Sequence, residues 1–354
     1  MEKRFAKKAI FFLILGLLSL GFSSAVDNVA RGGSLITVCP SGPPACDTAS
    51  VQEAVAKAAP GSTLFIAAGS YAGPVIIANS VTLIGAGQEQ TVITRGVIVV
   101  GPFGVTLKAL KVTAGLNGVQ GQAPPGLPEQ YSPSLSLQSV TITGNAANGV
   151  ALFNYSKATL QDVQINTNGI TIQGNPVGSG IAVRGHAKVT IKGTSIIQKS
   201  GANGISASDN ASVTIGGSTL IQMNQLSGIQ LGGSSTASIT ELTAQANACY
   251  GLDVTDNSTA NVNGGTYQGN AKAGIHVGGP SSILLGCGTN TDSVLSATAN
   301  LSNVVIAGNK IGLLVGDLSK DLEQATVTGI GVIFLGNGVN MLVDPVDTKN
   351  VEMH

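Results

Sequence analysis

The chain has 354 residues, a formal net charge of zero and 10% charged residues, against about 25% in an average soluble protein. A balanced charge argues against a nucleic-acid partner, because nucleic-acid binding calls for a strongly basic face. With 48 glycines and no tryptophan, small residues and turns dominate, and one domain that grows by adding repeats accommodates this length.

The N-terminal residues predict export. Basic residues between Lys3 and Lys8 precede an apolar run from Ala9 to Leu20, and Ala25 ends a small-residue cleavage site. A dozen apolar residues fall short of the ~20 that span a bilayer, which argues against the alternative of an uncleaved anchor. We expect residues 1–25 to be removed as a signal peptide. The mature chain would then be extracellular, periplasmic or on the cell surface, with no membrane span.

Residues 26–49 form an N-terminal segment with two close cysteines. Cys39 and Cys46 bracket a stretch rich in proline, and in an exported protein this arrangement predicts a small disulfide loop. The alternative, a metal site, lacks further ligands nearby. Cys249 and Cys287 fall at different places in the sequence pattern, which leaves their pairing open.

The stretch from Ser50 to Arg95 predicts a helix followed by short strands. Ser50 and Glu53 form a capping box, and the helix ends before Pro60. Such a helix would cover strand edges that otherwise pair with another molecule. Together with Gly-Ser-Tyr at 69–71 and Thr-Leu-Ile-Gly-Ala-Gly at 82–87, this order is similar to the opening of pectin methylesterases and many exported β-helix proteins.

A short phrase recurs further along the chain: glycine, an aliphatic residue, any residue, then an apolar residue. After a first gap its glycines stand 24, 24, 23 and 23 residues apart, which indicates a solenoid. A second alternating run follows each glycine, so each coil is predicted to hold two strands with one buried face. The glycines are Gly149, Gly180, Gly204, Gly228, Gly251 and Gly274.

An asparagine stands four residues before most of these glycines. Asparagine tolerates the left-handed conformation of a sharp corner, and its amide both donates and accepts hydrogen bonds. Identical residues on neighbouring coils can therefore bond to each other, and we expect an asparagine ladder. Its members are Asn145, Asn224, Asn247 and Asn270, with Ser200 at the equivalent place.

The repeat resembles the right-handed parallel β-helix of the pectin-lyase-like superfamily, roughly from Ser50 to Leu342. The resemblance implies an all-β, single-stranded right-handed parallel β-helix over residues 50–342, with an N-terminal capping helix and coils stacked about 4.8 Å apart. Residues 343–354 are interpreted as a polar, frayed tail. The fold hosts lyases, hydrolases, esterases, epimerases and adhesins, so it does not by itself assign a function.

The catalytic motifs of the enzymes with this fold are missing. The pectin methylesterase segments Asp-Phe-x-Phe-Gly and Gly-Arg-Pro-Trp do not occur, and neither does the Asp-Pro-His-Glu of alginate epimerases. Of the polygalacturonase motifs, Gly185-His186-Ala187 preserves only a fragment. The resemblance therefore transfers no catalytic residue.

Two stretches, 117–133 and 286–302, interrupt the repeat. They are either tolerated surface insertions or walls of a groove. Beyond Gly312 the repeat degenerates through Asp317 to Asp321, as a terminal cap would.

The third residues of the glycine phrases are predicted to point outward in one column. Asp253 and His276 would then lie about 5 Å apart on neighbouring coils, close enough for a carboxylate to orient an imidazole as an acid–base pair. The alternative is that both are ordinary solvated side chains. The column consists of Ala182, Ser206, Gln230, Asp253 and His276.

Positive charge gathers on one coil. Arg184, Lys188 and Lys192 alternate along it and form a candidate base or carboxylate-neutralising stripe for lyase chemistry, or are solubilising charges. Gln230, Lys188 and Tyr131 are the candidate ligand-binding residues. No cofactor motif is identified, and no metal site, because Asp209 and Asp256 lie two coils apart.

Three functions remain open. The first is a non-catalytic exported β-helix that presents a flat face of Ser, Thr, Asn and Gln to a polysaccharide or a cell-envelope glycan. The second is a polysaccharide lyase or glycoside hydrolase acting on an acidic polysaccharide through Asp253, His276 and Arg184. The third is a structural component of the cell surface.

Overall fold

The described part of the chain consists almost wholly of short strands. The computed structural model describes residues 33–123, 126–172, 175–278, 287, 296–316, 325–344, 347 and 350–354. The predicted signal peptide, most of the predicted insertion at 286–302 and the predicted degenerate segment at 317–321 lie outside these residues.

One α-helix and ten strands make up the N-terminal part. Helix α1 spans Val51–Lys57, and a short 3₁₀ turn spans Glu129–Tyr131. The strands are β1 (Leu35–Val38), β2 (Ser62–Ile66), β3 (Gly69–Tyr71), β4 (Val75–Ile77), β5 (Val81–Gly85), β6 (Thr91–Thr94), β7 (Val97–Val100), β8 (Gly104–Thr113), β9 (Val119–Gln122) and β10 (Ser134–Thr143).

The rest of the described chain repeats a three-strand coil. Its middle part contains β11 (Val150–Leu152), β12 (Lys157–Gln161), β13 (Gln164–Asn166), β14 (Ile170–Ile172), β15 (Asn175–Val177), β16 (Ile181–Gly185), β17 (Lys188–Lys192), β18 (Ile196–Gln198), β19 (Ile205–Asp209), β20 (Ser212–Ile215), β21 (Leu220–Gln222), β22 (Ile229–Leu231) and β23 (Thr236–Thr240). Its last part contains β24 (Thr243–Gln245), β25 (Tyr250–Val254), β26 (Thr259–Asn263), β27 (Thr266–Gln268), β28 (Ala273–Val277), β29 (Thr298–Ser302), β30 (Val305–Ala307), β31 (Ile311–Val315), β32 (Thr326–Ile330), β33 (Ile333–Leu335), β34 (Val339–Val343) and β35 (Val351–Met353).

Parallel pairing between neighbouring coils produces three faces. Face A is an 11-stranded sheet of β4, β7, β9, β11, β16, β19, β22, β25, β28, β31 and β34. A 22-stranded sheet supplies the other two faces. Face B comprises β1, β2, β5, β12, β17, β20, β23, β26, β29, β32, β35 and the first halves of β8 and β10. Face C comprises β3, β6, β13, β18, β21, β24, β27, β30, β33 and the second halves of β8 and β10.

This architecture confirms the predicted solenoid, with one difference in each coil. Sequence patterning indicates two strands per coil, whereas the structure has a third, of three residues, on face C, as in Ile196–Gln198. The bend between face B and face C falls on a residue with positive φ, such as Ala109 (φ 51°) in β8 and Ser139 (φ 51°) in β10. A strand of three residues is too short to produce a clear alternation of apolar and polar residues.

Aliphatic side chains from all three faces fill the interior. Alternate residues of each strand point inward, and Leu64, Ile142 and Ile215 are completely buried. A parallel sheet rolled into a coil buries one side of every strand, so the core runs along the axis as one continuous cluster.

The buried tyrosine on β27 carries an unpaired hydroxyl. Tyr267 is completely buried, its hydroxyl has no hydrogen-bond partner within the described chain, and burial raises its pKa. We expect Tyr267→Phe to keep or increase the free energy of unfolding, by up to about 1 kcal/mol, because it removes an unsatisfied buried group. A denaturant midpoint measures this.

Tyr71→Phe is the matched control. Tyr71 is also buried, but its hydroxyl donates to the carbonyl oxygen of Ala67 at 3.0 Å. Loss of this hydrogen bond should lower the free energy of unfolding by about 1 kcal/mol. Equal destabilisation by the two phenylalanine variants would contradict the assignment of an unpaired Tyr267 hydroxyl.

The predicted helix cap at the N-terminal end is present. Ser50 Oγ accepts a hydrogen bond from the Glu53 amide at 3.3 Å, as the capping box predicts. Gln52 on the helix pairs with the edge strand β4: its Nε2 donates to the Ile76 carbonyl oxygen at 3.2 Å and its Oε1 accepts from the Ile76 amide at 2.7 Å. The helix therefore hydrogen-bonds to part of an edge that would otherwise be open.

The sheet extends beyond the predicted bounds at both ends. Strand β1 pairs with β2 before residue 50, and β35 pairs with β32 after residue 342. The prediction of a frayed tail is therefore wrong for Val351–Met353. That strand alternates too briefly to be recognised from sequence, and its pairing with β32 depends on the register of the coil before it.

An extra hairpin explains the long gap before Gly180. Strands β14 and β15 pair antiparallel between a face C strand and a face A strand. The face A register continues across it, because Ala151 is still opposite Ala182. The insertion therefore lengthens one corner and leaves the stacking of the coils intact.

The predicted asparagine ladder is confirmed and is longer than predicted. Asn224 Nδ2 donates to Asn247 Oδ1 at 2.9 Å, and Asn247 Nδ2 donates to Asn270 Oδ1 at 2.9 Å. Asn168, Asn309 and Asn337 join the ladder, although their spacing from a glycine differs. Ser200 interrupts it, and its buried hydroxyl has no partner within the described residues.

Two disulfides are present. Cys39 and Cys46 are joined as predicted, with Cα atoms 6.0 Å apart. Cys249 and Cys287, whose pairing the sequence leaves open, are also joined. The second disulfide ties the start of β25 to a residue that lies 38 positions further along the chain.

Candidate functional site

Asp253 and His276 form a buried ionisable pair on face A. They are opposite each other on β25 and β28, and His276 Nδ1 lies 2.7 Å from Asp253 Oδ1. The predicted juxtaposition is therefore confirmed. Its predicted exposure is wrong, because the side chains of His276 and Asp253 are only 2% and 3% exposed.

Apolar side chains lie beside this pair on face A. Tyr250 stacks on the His276 ring with centroids 4.8 Å apart. Tyr250, Ile311 and Leu314 belong to a second buried cluster, separate from the main core, which also contains the disulfide-bonded Cys249. In this cluster the outward-pointing residues of a strand are buried as well as the inward-pointing ones, so the rule that alternate residues are exposed fails.

The chemistry available to the pair follows from its enclosure. A carboxylate that accepts from Nδ1–H holds the imidazole in one tautomer and one orientation, as in general acid–base sites. A substrate must also come within hydrogen-bond distance of the imidazole, and side chains that are 2% and 3% exposed do not offer that access. In this conformation the two side chains hold each other in place beside the surrounding apolar cluster.

The remaining members of the predicted outward column are more varied. Ser206 Oγ donates to Gln230 Oε1 at 3.0 Å, and both side chains are half-buried. Ala182 is 2% exposed. These residues are therefore aligned on neighbouring coils, as predicted, but they do not form one exposed polar surface.

The candidate charged and binding residues do not converge on one site. Arg184 is exposed on face A, whereas Lys188 is exposed on face B next to Lys157 of the preceding coil. Lys157 bonds Glu129 at 2.7 Å, in the 3₁₀ turn that also contains the exposed Tyr131. This bond, with a smaller contribution from Lys188, lowers the pKa of Glu129.

The positions of these residues divide the candidates into two groups. Tyr131 and Lys188 lie on the face B side of the molecule, near the loop that enters β10. Gln230 belongs to face A with Arg184. The structure thus brings together Asp253 and His276, and places Lys188 next to the Glu129–Lys157 pair, but it does not assemble a single site from them.

A regular polar column runs along face B. On every coil from Thr63 to Thr328 the central outward residue is threonine, serine or asparagine. Each of these residues lies opposite the next one in the parallel pairing of the strands. Its members are Thr63, Thr82, Thr106, Ser136, Thr159, Thr190, Thr214, Ser238, Asn261, Asn300 and Thr328.

The side chains of this column are half-buried or exposed and stand one strand spacing apart, about 4.8 Å. Two further outward columns flank it, and in the C-terminal half these are mostly neutral and polar, as in Thr236 and Thr240 beside Ser238, with the exposed Ile330 as an exception. Face B is therefore a long surface of hydroxyl and amide groups at regular intervals, with the lysines confined to its middle coils.

No described residues form a group of three or more histidines, cysteines or carboxylates suited to a metal ion. In the part of the chain that the structure describes, no helix has the length and apolar character needed to cross a membrane.

Sequence reasoning predicted a flat polar face without locating it. Aligning the alternating runs by their buried residues, such as Val189 and Val213, would have placed Thr190 and Thr214 in register. A second column was missed on face C: Gln198, Gln222, Gln245 and Gln268 bond to each other. Its signal is visible, since a glutamine stands two residues before Ser200, Asn224, Asn247 and Asn270.

Comparison with known proteins identifies similar folds. The family model described as "Right handed beta helix region" matches residues 129–290. No curated protein matches the sequence. Among solved structures, the A-module of the mannuronan C-5 epimerase AlgE4 from Azotobacter vinelandii is 13% identical, with a TM-score of 0.54, covering 81% of this chain and 90% of that chain.

Two other solved structures show the same likeness. The pectate lyase Pel9A is 12% identical with a TM-score of 0.53, covering 91% of this chain and 79% of its own. The catalytic unit of a GH87 α-1,3-glucanase from Streptomyces thermodiastaticus is 14% identical with a TM-score of 0.55, and the match covers 94% of this chain and 69% of that chain. At these identities the likeness establishes the fold alone.

Proposed function

The chain has the right-handed parallel β-helix fold of the pectin-lyase-like superfamily, and from this premise we propose that it is an exported, non-catalytic protein that binds a polysaccharide along face B. The observation that carries the proposal is the uninterrupted column of Thr, Ser and Asn from Thr63 to Thr328. Export is supported by the N-terminal sequence and by two disulfides, which persist in oxidising compartments.

A repeating surface suits a repeating ligand. Hydroxyl and amide groups both donate and accept hydrogen bonds, as the hydroxyls of a sugar chain do. The rungs recur about every 4.8 Å, so two rungs span roughly the length of a disaccharide in an extended, flat glycan. Many weak contacts in fixed register add up along a polymer, whereas a single short sugar would make only a few.

The charges on face B favour a neutral polymer over its C-terminal half. Thr214, Ser238 and Asn261 are exposed there, and their outward neighbours are Ser, Thr, Asn and Gly. The lysines of the middle coils are partly neutralised, since Lys157 pairs with Glu129. The three similar structures are named for activities on polysaccharides, which supports this class of ligand.

The test is retention of the mature chain, residues 26–354, on a panel of insoluble polysaccharides. We expect the parent to be retained on at least one neutral polymer, and Thr214→Val with Thr236→Val to weaken retention by roughly tenfold or more. Valine preserves the shape of threonine but removes a hydroxyl, and two lost hydrogen bonds are worth about 1 kcal/mol each. Both threonines are exposed on face B.

Thr243→Val with Thr266→Val is the matched control. These threonines are outward residues of face C, in a column that already contains Leu220 and Val305. The control should bind as the parent does. Equal loss of retention in the two double variants, or no retention of the parent on any polymer, would refute the assignment to face B.

A second candidate, a polysaccharide lyase or glycoside hydrolase, is favoured by the 2.7 Å contact between His276 and Asp253. The burial of both side chains argues against this enzymatic function. The same polymers, with acidic polysaccharides added, are incubated with the parent and assayed for unsaturated product and new reducing ends. We expect none; product that Asp253→Asn abolishes while retention is preserved would establish the enzyme instead.

A further inference from the structure

A chain of side-chain amides runs along face C. Gln222 Nε2 donates to Gln198 Oε1 at 2.8 Å, Gln245 Nε2 donates to Gln222 Oε1 at 2.7 Å, and Gln268 Nε2 donates to Gln245 Oε1 at 2.7 Å. Three of the four amides donate a hydrogen bond to the glutamine of the preceding coil. Hydrogen bonds aligned in one direction polarise one another, so the last acceptor in the chain is strengthened.

The chain of amides stops abruptly at Gln268. The residue in register with it on the following coil is Ala307, which has no polar group to continue the pattern. Within the described residues no donor reaches Gln268 Oε1. The ladder therefore ends on the exposed side chain of Gln268, whose amide donates a hydrogen bond but accepts none from the described residues.

Open space lies at this position. A depression of about 490 Å³ is lined by Gln245, Ala246, Gln268, Gly269, Ala307 and Gly308. The depression is shallow and mostly open to solvent, so it would hold one substituent of a larger ligand rather than enclose a whole small molecule. Earlier coils fill the corresponding corner with longer side chains, such as the exposed Met223, whereas Gly269 and Gly308 leave it empty.

The lining defines the chemistry of the ligand. None of the six lining residues is charged, two are glutamines and the rest present methyl groups or bare backbone. Such a lining suits a neutral group with one polar function that can take the place of a glutamine amide and a small apolar part beside it. A secondary amide with an attached methyl group meets both requirements.

We propose that this depression binds the acetamido group of an N-acetylated amino sugar. The amide N–H donates to Gln268 Oε1 and so adds the missing rung, while the acetyl methyl lies over Ala307 and Gly308. The site is on face C, so it is separate from the face B column and adds a contact for one sugar substituent to a surface that recognises polymer repeats.

The experiment is calorimetric titration of the mature chain with three tetrasaccharides of the same linkage: the N-acetylglucosamine, glucosamine and glucose oligomers. We expect the N-acetylated oligomer to bind at least tenfold more tightly than the other two, since any binding of the sugar backbone to face B is common to all three. Binding of the glucose or glucosamine oligomer with similar affinity would overturn the proposal, because neither carries an acetamido group.

Two variants test the position. Ala307→Gln supplies a protein amide to the empty rung and fills the depression, and Gln268→Leu removes the terminal acceptor; each should weaken binding at least tenfold. Gln198→Leu makes the same change at the far end of the amide chain and should stay within about threefold of the parent. Thermal unfolding checks that all three variants are folded.

The test of the acetamido site can be separated from the test of polysaccharide binding to face B. The variant with Thr214→Val and Thr236→Val should retain binding of the N-acetylated oligomer, because these residues are on another face. Unchanged binding by Ala307→Gln would refute the acetamido site while leaving the face B proposal intact. Loss of polymer retention in the threonine variant alone would leave this site intact.

Discussion

Asp253→Ala is expected to lower the free energy of unfolding by about 3 to 5 kcal/mol, measured by chemical denaturation. The change leaves the imidazole of His276 buried without the carboxylate 2.7 Å away. Removing one partner of a buried pair is costly because the other remains desolvated and unmatched. An exposed catalytic pair would show a much smaller loss of stability on the same substitution.

The control replaces both partners at once. Asp253→Leu with His276→Leu continues the apolar column of Leu314 and Leu342, which follow in register. We expect this double variant to be considerably more stable than Asp253→Ala, because no buried polar group is left unpaired. A double variant as unstable as the single one would show that the pair makes contacts beyond its own hydrogen bond.

Asn247→Ala is expected to cost a similar amount, about 3 kcal/mol or more. Asn247 Oδ1 accepts from the amide and side chain of Asn224, and its Nδ2 donates to Asn270 Oδ1. Alanine leaves the backbone and side-chain N–H groups of Asn224 without their buried acceptor, whereas Asn270 Oδ1 still accepts from the backbone amide of residue 247. The loss is read from the denaturant midpoint, and a loss below 1 kcal/mol would mean that water replaces the missing amide.

The natural break in the ladder provides the reciprocal test. Ser200 stands between Asn168 and Asn224, and its backbone amide already donates to Asn224 Oδ1 at 3.0 Å. Ser200→Asn should raise the free energy of unfolding by about 1 kcal/mol, since it joins the two parts of the ladder. Asn247→Ser should be less damaging than Asn247→Ala if a serine rung is tolerated as it is at position 200.

Periodicity in the sequence predicted much of this architecture. The glycine spacing and the alternating runs define the coil, and the recurrent asparagines identify the ladder from Asn224 to Asn270. The contact between Asp253 and His276 was predictable for the same reason: in a solenoid, a constant offset from a repeated residue converts directly into a register.

Burial was not predictable in the same way. Asp253 lies on the same face as an apolar cluster that includes Ile311, Leu314 and a disulfide between residues far apart in sequence, and local pattern does not reveal such a cluster. The short strands of face C and the pairing of Val351–Met353 also depend on tertiary register. The local sequence pattern identifies the features that every coil shares. The burial of Asp253 and the pairing of Val351–Met353 arise where one coil differs from its neighbours.

The hairpin of β14 and β15 makes one corner of this protein a natural acceptor for foreign sequence. The chain leaves the coil only after Asn168, a member of the asparagine ladder, and is in register again at Ile181. The pairing of the coils on either side therefore does not depend on the length of the insertion. A binding peptide or a small folded module grafted in place of residues 170–177 should be displayed without disturbing the stack. Further copies at the same corner of other coils would be spaced along the axis by the coil repeat itself.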